Sequence, residues 1–394
     1  MSNRLNWLDE ILAAIERDNL RRSRQTARSL GGGRIEIDGQ TLADFSSNDY
    51  LGLAGDPAIV AAARSALESN RLGSGASALI SGRTPFHAEL EQTLAAFEGE
   101  EDALLFPTGY AANMGTVAAL IGADDLVFCD RLNHACLVDG CRLSGAVLRV
   151  YRSDRLEQLE TRLAAATGHP RRWIVTDGVF GMDGTLAPLA ALCDLADRYD
   201  AAVLVDEAHG TGVLGKRGRG ACEQAGDHDR VAVRTGTLSK AAGALGGFVA
   251  GPRSLVEFLW HRAKPQMFST ALPAAVCAAA TTAVRLIETE PGRRSRLAEL
   301  SDRLRSRLRN ADLDVPGDTG VPIVPVIVGE PQQAVDAGAE LRRRGFAVGV
   351  IRPPTVPRGS ARLRISVPAA HDPQLVESLA DHLIEVCGRT TISR

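Results

Sequence analysis

The sequence predicts an α/β fold: a mostly parallel sheet covered by helices, joined to a smaller α+β domain. Three observations carry that expectation. Near-continuous apolar runs at 125–129, 173–176 and 202–205 are short and bounded by polar residues or glycine, as strands buried on both faces read. Longer helical patterns such as 187–199 separate them. Beyond about residue 286 the texture changes to an Arg-rich helix and shorter alternating elements.

Taken in order, the stretch from Leu5 to Leu20 sets Leu8, Ile11, Leu12 and Ile15 at helical spacing and predicts an amphipathic arm. The strand and helix alternation follows. The last part predicts a helix at 296–309, a strand at 322–328, a helix at 332–344, strands at 346–351 and 361–366, and a helix at 373–386. The expected division is an N-terminal arm over 1–50 that packs with the small domain, a large domain over 51–285 and a small domain over 286–394.

Composition narrows the function. A chain of 394 residues, 45% hydrophobic and 24% charged, is long enough for a large core and two domains. A net charge of -3 offers no broad basic field, so neither nucleic acid nor a membrane surface is an expected partner. No long apolar run suggests a membrane span. The N-terminus mixes Arg4 with Asp9, Glu10, Glu16 and Asp18, unlike a signal or transit peptide, so a cytoplasmic location is expected. Seven scattered cysteines without a C-x-x-C pair predict reduced thiols, and no metal site is expected.

Lysine is scarce. Of 45 basic residues only Lys216, Lys240 and Lys264 are lysine, which raises the question of what guanidinium could not do there. An amine can form a Schiff base, and a permanently protonated guanidinium cannot.

In open α/β sheets ligands bind beyond the carboxyl ends of the strands. Three such ends stand out. After 201-AAVLV-205 come Asp206 and, three residues on, His209. A carboxylate ending a buried strand needs a cationic partner, and a protonated pyridine nitrogen would serve, although Asp206 alone also reads as a helix cap. The run 231-VAVRTGTLSK-240 ends on Lys240, with Thr237 and Ser239 nearby and a Gly/Ala-rich stretch after it that leaves room for a flat ring and a phosphate. In 103-ALLFPTGYAAN-113 a strand, a glycine turn and a helix beginning near Tyr110 read either as an anion site suited to a phosphate, with Gly109 permitting close approach, or as a common strand-to-helix turn. His134, in 130-DRLNHACL-137, is placed either to stack on a flat cofactor or simply as a satisfied loop residue.

The ordered set SNDYLGLA at 47–54, GSGAS at 73–77, FPTGYAAN, DRLNH, TDGVFGMDG at 176–184, DEAHGTGVLGKRGRG at 206–220, GTLSK and IRPPTVPRGSARLRIS at 351–366 resembles the α-oxoamine synthases over essentially the whole chain. That resemblance implies the aspartate-aminotransferase-like fold, with a seven-stranded sheet in the large domain, pyridoxal 5'-phosphate as cofactor, and a homodimer. It implies decarboxylative condensation of an amino acid with an acyl thioester. Within the family, DEAHGTG and IRPPTVP favour the branch that joins L-alanine to pimeloyl-CoA or a pimeloyl-carrier protein in biotin biosynthesis. The alternative is a sister synthase using glycine and acetyl-CoA or another short acyl-CoA.

The resemblance also implies roles. Lys240 tethers the cofactor and serves as base; Asp206 pairs with the ring nitrogen; His134 stacks on the ring; His209 lies near the phenolic oxygen. Gly109, Tyr110 and Thr237 line the cofactor, while Arg21, His134, Thr355 and Arg364 meet substrate, the two arginines as forks for carboxylates. Two positions depart from the pattern. Gly181 stands where the family usually has serine near the cofactor, and Asp177 stands where the biotin-pathway enzymes commonly have glutamate.

Overall fold

The computed structural model describes residues 4–391. They divide into two compact units, one within Met1–Ser47, Met182–Gly184 and Ala298–Arg394, the other within Asn48–Gly181 and Thr185–Leu297. The first contains strands β1 (Ala27–Gly31), β2 (Arg34–Ile37) and β3 (Gln40–Phe45). The second contains β4 (Asp102–Phe106), β5 (Leu126–Asp130), β6 (Val147–Tyr151), β7 (Arg172–Asp177), β8 (Ala202–Asp206), β9 (Val233–Thr237) and β10 (Gly247–Gly251). Strands β11 (Ile323–Gly329), β12 (Phe346–Ile351) and β13 (Ala361–Ser366) return to the first.

In the larger unit seven strands run in the order β4-β10-β9-β8-β7-β5-β6. The pairs β9 to β8, β8 to β7, β7 to β5 and β5 to β6 are parallel, and β10 is antiparallel to both β9 and β4. The continuous apolar runs are explained by burial on both faces: every residue of β5, β9 and β10 is buried. On one face Val127, Cys129, Val175, Leu204, Val233 and Val249 pack with Ala112, Val117, Leu137 and Leu259 from helices. The parallel register puts the carboxyl ends of β7 and β8 level, with Asp177 opposite Asp206.

The smaller unit holds a six-stranded sheet, β1-β2-β3-β12-β13-β11, in which only β12 and β3 pair in parallel. Its core joins Phe45, Leu304, Leu308, Val324, Leu363, Ile365 and Leu379. The helix Trp7–Arg17 buries none of its residues, and Ile11 and Leu12 remain exposed. The Arg-rich helix spans Pro291–Asn310, starting earlier than its charge pattern suggests because proline is well placed in a first helical turn. No described helix is long and apolar enough to cross a membrane. All seven cysteines are buried.

Candidate active site

The larger unit gathers most of the singled-out residues at the carboxyl ends of its central strands. Lys240 follows β9 and its Nζ lies 3.0 Å from His209 Nε2. His209 follows β8, and its other ring nitrogen, Nδ1, is 2.7 Å from the hydroxyl of Tyr50. Tyr50 Oη in turn donates to Asn48 Oδ1 at 3.1 Å. One imidazole thus spans from the SNDYLGLA segment to the lysine, and its position is set from both sides.

Asp206, buried at the end of β8, accepts from Asn113 Nδ2 at 2.7 Å and from the Ala208 N–H at 2.8 Å. Burial pushes its carboxyl above the ordinary range, and the positive charge of Lys240 opposes that shift. Asn113 itself accepts from the Thr235 hydroxyl, so the β9 strand orients the amide that orients the carboxylate. Asp177, equally buried, takes the His134 N–H on Oδ2 at 3.0 Å, while its Oδ1 has no hydrogen-bond partner among the described residues.

His134 caps the helix Ala135–Leu143, with Nδ1 accepting from the Cys136 N–H at 3.3 Å. The cap uses one ring nitrogen and thereby fixes the ring, which meets Tyr110 edge-on at 6.1 Å. The ring is exposed by surface area, yet partial removal from water still lowers its pKa, with Asp206 opposing. Tyr110, 43% exposed, donates to Asp139, and that bond is the main reason its hydroxyl is pushed up to about 12.

Glycines mark where the site is tight. A Cβ on Gly109 would lie 2.8 Å from both Cβ and Oγ1 of Thr237, so the helix Gly109–Leu120 begins against β9 without room for a side chain. Thr237 donates its hydroxyl to Gly246 O at 2.9 Å and sits 2.8 Å from Ser239 Oγ. A Cβ on Gly181 would lie 2.6 Å from His209 Nε2. Gly243, at φ +62°, has a different purpose from the one its sequence suggested. Its missing side chain makes way for Ala54 N, 2.3 Å from where a Cβ would be, so it admits the SNDYLGLA backbone rather than a ring.

Arg21, Thr355 and Arg364 belong to the smaller unit. Arg352 Nη1 donates to Asn19 O at 2.6 Å and its Nη2 to Arg21 O at 3.1 Å, tying the arm to the segment that carries Thr355. The Arg21 side chain itself is exposed and paired with Glu16, and Thr355 is exposed. Arg364 is buried in β13 between Pro325 and Gly349, with Nη1 donating to Ser366 Oγ at 3.0 Å.

Sequence reasoning named no role for Asn113 or Tyr50. Both lie inside quoted motifs, but their partners are 93 and 159 residues away. The available signal was local: Asn113 sits one helical turn after Gly109, which puts it on the same face as the helix start.

A half-buried lysine-histidine pair beside a buried strand-end carboxylate, under a glycine-started helix, fits pyridoxal phosphate. The buried Asp206 carboxylate at the end of β8 calls for a cationic partner, and a pyridinium supplies one. Fold and cluster together define a pyridoxal-phosphate-dependent enzyme of the aminotransferase type. The aminotransferase class I and II pattern matches residues 40–383, and the chain belongs to that family, within it to the α-oxoamine synthases.

The 8-amino-7-oxononanoate synthase of Anaeromyxobacter dehalogenans is 47% identical over 382 residues, covering 97% of this chain and 96% of its own. A solved serine palmitoyltransferase with its PLP internal aldimine superposes with a TM-score of 0.93 at 30% identity, over 99% of this chain and 100% of that one. The 8-amino-7-oxononanoate synthase of Francisella tularensis superposes with a TM-score of 0.75 at 26% identity, over 87% of this chain and 97% of its own.

Proposed function

We propose that the chain condenses L-alanine with a pimeloyl thioester, carried on coenzyme A or a carrier protein, and releases carbon dioxide to form 8-amino-7-oxononanoate for biotin synthesis. The observation that supports this most is the convergence of Lys240, His209 and Asp206 at adjacent strand ends in a chain so similar to synthases of that name. When bound, pyridoxal phosphate supplies the carbonyl carbon for the amine and a cationic ring that accepts an electron pair.

The residues divide the remaining work. Lys240 Nζ holds the resting cofactor and, once released, takes the proton from the amino acid Cα and later returns a proton to the product. His209, anchored by Tyr50, positions Nζ and faces the cofactor's phenolic oxygen. Asp206, oriented by Asn113, holds the ring nitrogen's proton in place. His134 covers the ring face. Gly109, Tyr110, Gly181 and Thr237 line the pocket, with the Thr237 hydroxyl lying between Gly246 O and Ser239 Oγ. Arg21, Arg364 and Thr355 bind the substrates' carboxylates and chain. The arm over 1–50, the large domain over 51–285 and the small domain over 286–394 act in a homodimer, in which 268-FSTALP-273, led by the 73% exposed Phe268, reaches toward the neighbouring subunit.

The test measures thiol release by the purified protein loaded with pyridoxal phosphate. Release from pimeloyl-CoA with L-alanine, absent from acetyl-CoA with glycine, is the expected result, and Lys240→Ala is expected to lose the cofactor's long-wavelength band and about 10⁴-fold in rate. Release only from acetyl-CoA with glycine would reassign the substrates.

A further inference from the structure

Two carboxylic acids end neighbouring parallel strands, and they are treated differently. Adjacent strands lie roughly 4.8 Å apart, and Asp177 and Asp206 are register partners, so the two groups cannot avoid each other's field. Both are at least nine-tenths buried, and no salt bridge reaches either among the described residues. Two like charges so placed in a poorly polarisable interior do not both ionise.

Hydrogen bonding decides which one keeps its proton. Each Asp206 oxygen accepts an N–H, from Asn113 and from Ala208, and both bonds favour the anion. Asp177 accepts one N–H, from His134, and its second oxygen is bare. The groups around Asp177 are Asp206 on β8, Cys129 on β5, Lys240 after β9, and His134, with Tyr151 on β6 and Cys136 on the following helix also within its field. Lys240 is the single lysine among them, and it lies against His209. Burial first, and Asp206 second, push the Asp177 carboxyl well above its usual range.

We propose that Asp177 is a positioning residue that remains a neutral carboxylic acid, anchoring the His134 peptide through Oδ2 and leaving Asp206 the sole anion beneath the cofactor ring. The proton rides on Oδ1. Asn133 braces the arrangement, with its Oδ1 accepting the Asp177 N–H at 3.0 Å and its Nδ2 donating to Val175 O at 2.8 Å. His134 is then held at two points, its backbone by Asp177 and its ring by the Cys136 N–H. A second anion at this place would repel the first, whereas a neutral acid holds the peptide without that repulsion. The inference rests on the cofactor reading above only for its catalytic meaning; the protonation state stands by itself.

Infrared difference spectra between cofactor-free wild-type protein and Asp177→Asn test it directly. A protonated-carboxyl band at neutral pH, present in the wild type and lost in the variant, is expected; its absence overturns the proposal. Cofactor titration gives the second arm. Asp177→Asn, which keeps an oxygen for the His134 N–H and was never to lose a charge, is expected to bind pyridoxal phosphate within about twofold of wild type, while Asp177→Ala, checked for folding by circular dichroism, binds about tenfold more weakly. An unchanged pH midpoint of the cofactor's absorbance in Asp177→Asn is expected as well. Asp177→Asn weakening as much as Asp177→Ala, or shifting that midpoint, would mean that Asp177 carries charge. Failure of the wild type to take up the cofactor would overturn the function proposed above, with the infrared result still deciding the state of Asp177.

Discussion

The two units differ in the charges they bury: among the described residues the smaller buries guanidiniums and no carboxyl, whereas the larger buries mostly carboxyls beside Arg234 and Arg294. The smaller one buries guanidiniums: Arg305, Arg362 and Arg364 are at most 6% exposed. Arg305 donates to Asp302 at 2.6 Å and to the carbonyls of Val321 and Ile323 at 2.6 and 3.2 Å, and Arg362 pairs with Asp183 and donates to Met182 O at 3.1 Å. The larger one buries carboxyls: Glu98, Asp177, Asp206 and Glu207. Glu207 accepts from the N–H groups of Ala221 and Cys222 at 2.8 and 2.7 Å, so loop peptides solvate it. A guanidinium has five donors and stays charged wherever it is put, so it must be surrounded by carbonyls and acids. A carboxyl has the other option of keeping its proton. The difference teaches that buried cations here are structural cross-links, while buried acids remain chemically adjustable.

Breaking the cationic side should have the largest effect. Arg305→Ala removes the ion pair with Asp302 and takes the guanidinium donor from the Val321 and Ile323 carbonyls, and is expected to lower unfolding free energy by about 3–5 kcal/mol in urea titration. A loss below about 1 kcal/mol would mean that water takes over those carbonyls readily.

The anionic side should instead show itself through pH. Burial pushes the Glu98 carboxyl up to about 8, against an ordinary value of 4.5. The sign follows from proton binding: between those values the folded protein holds a proton that the unfolded chain has lost, so stability is fullest below about pH 4.5 and declines up to about pH 8. Glu98→Gln is expected to remove that decline, about 1.4 kcal/mol per pH unit within the window, in thermal melts at a series of pH values. An identical slope in the variant would place the proton elsewhere.

The smallest effect sharpens the comparison at the site itself. Gly181→Ala puts a methyl group 2.6 Å from His209 Nε2 and is expected to push the ring off Lys240, costing about tenfold to 10²-fold in kcat/KM with stability little changed. If the rate is unaffected, the contact between His209 and Lys240 is not one the reaction uses.

The chemical inventory is legible in the amino-acid sequence. Lys240 and Asp206 stand out because each follows a run that can only be a buried strand, and polar groups at such ends are costly without a partner. The strands β5, β7 and β8 match the apolar runs closely because burial on both faces leaves no alternation to misread. The roles of Asn113, Tyr50 and Asn133 are not legible there, since nothing local to them specifies a partner three strands or a whole motif away. Gly243 misleads for the same reason: a glycine announces that space is needed, and not what fills it.

By itself, then, the sequence determined the order of elements, the family they resemble and the groups able to do the chemistry, because periodicity and functional groups are properties of short stretches. Tertiary structure alone decided which atoms meet: that His209 lies between Tyr50 and Lys240, that Asn113 attends Asp206, and that Asp177 faces a second acid with one oxygen bare. Those are relations between distant segments, created when strand register and helix packing bring them to one edge of the sheet.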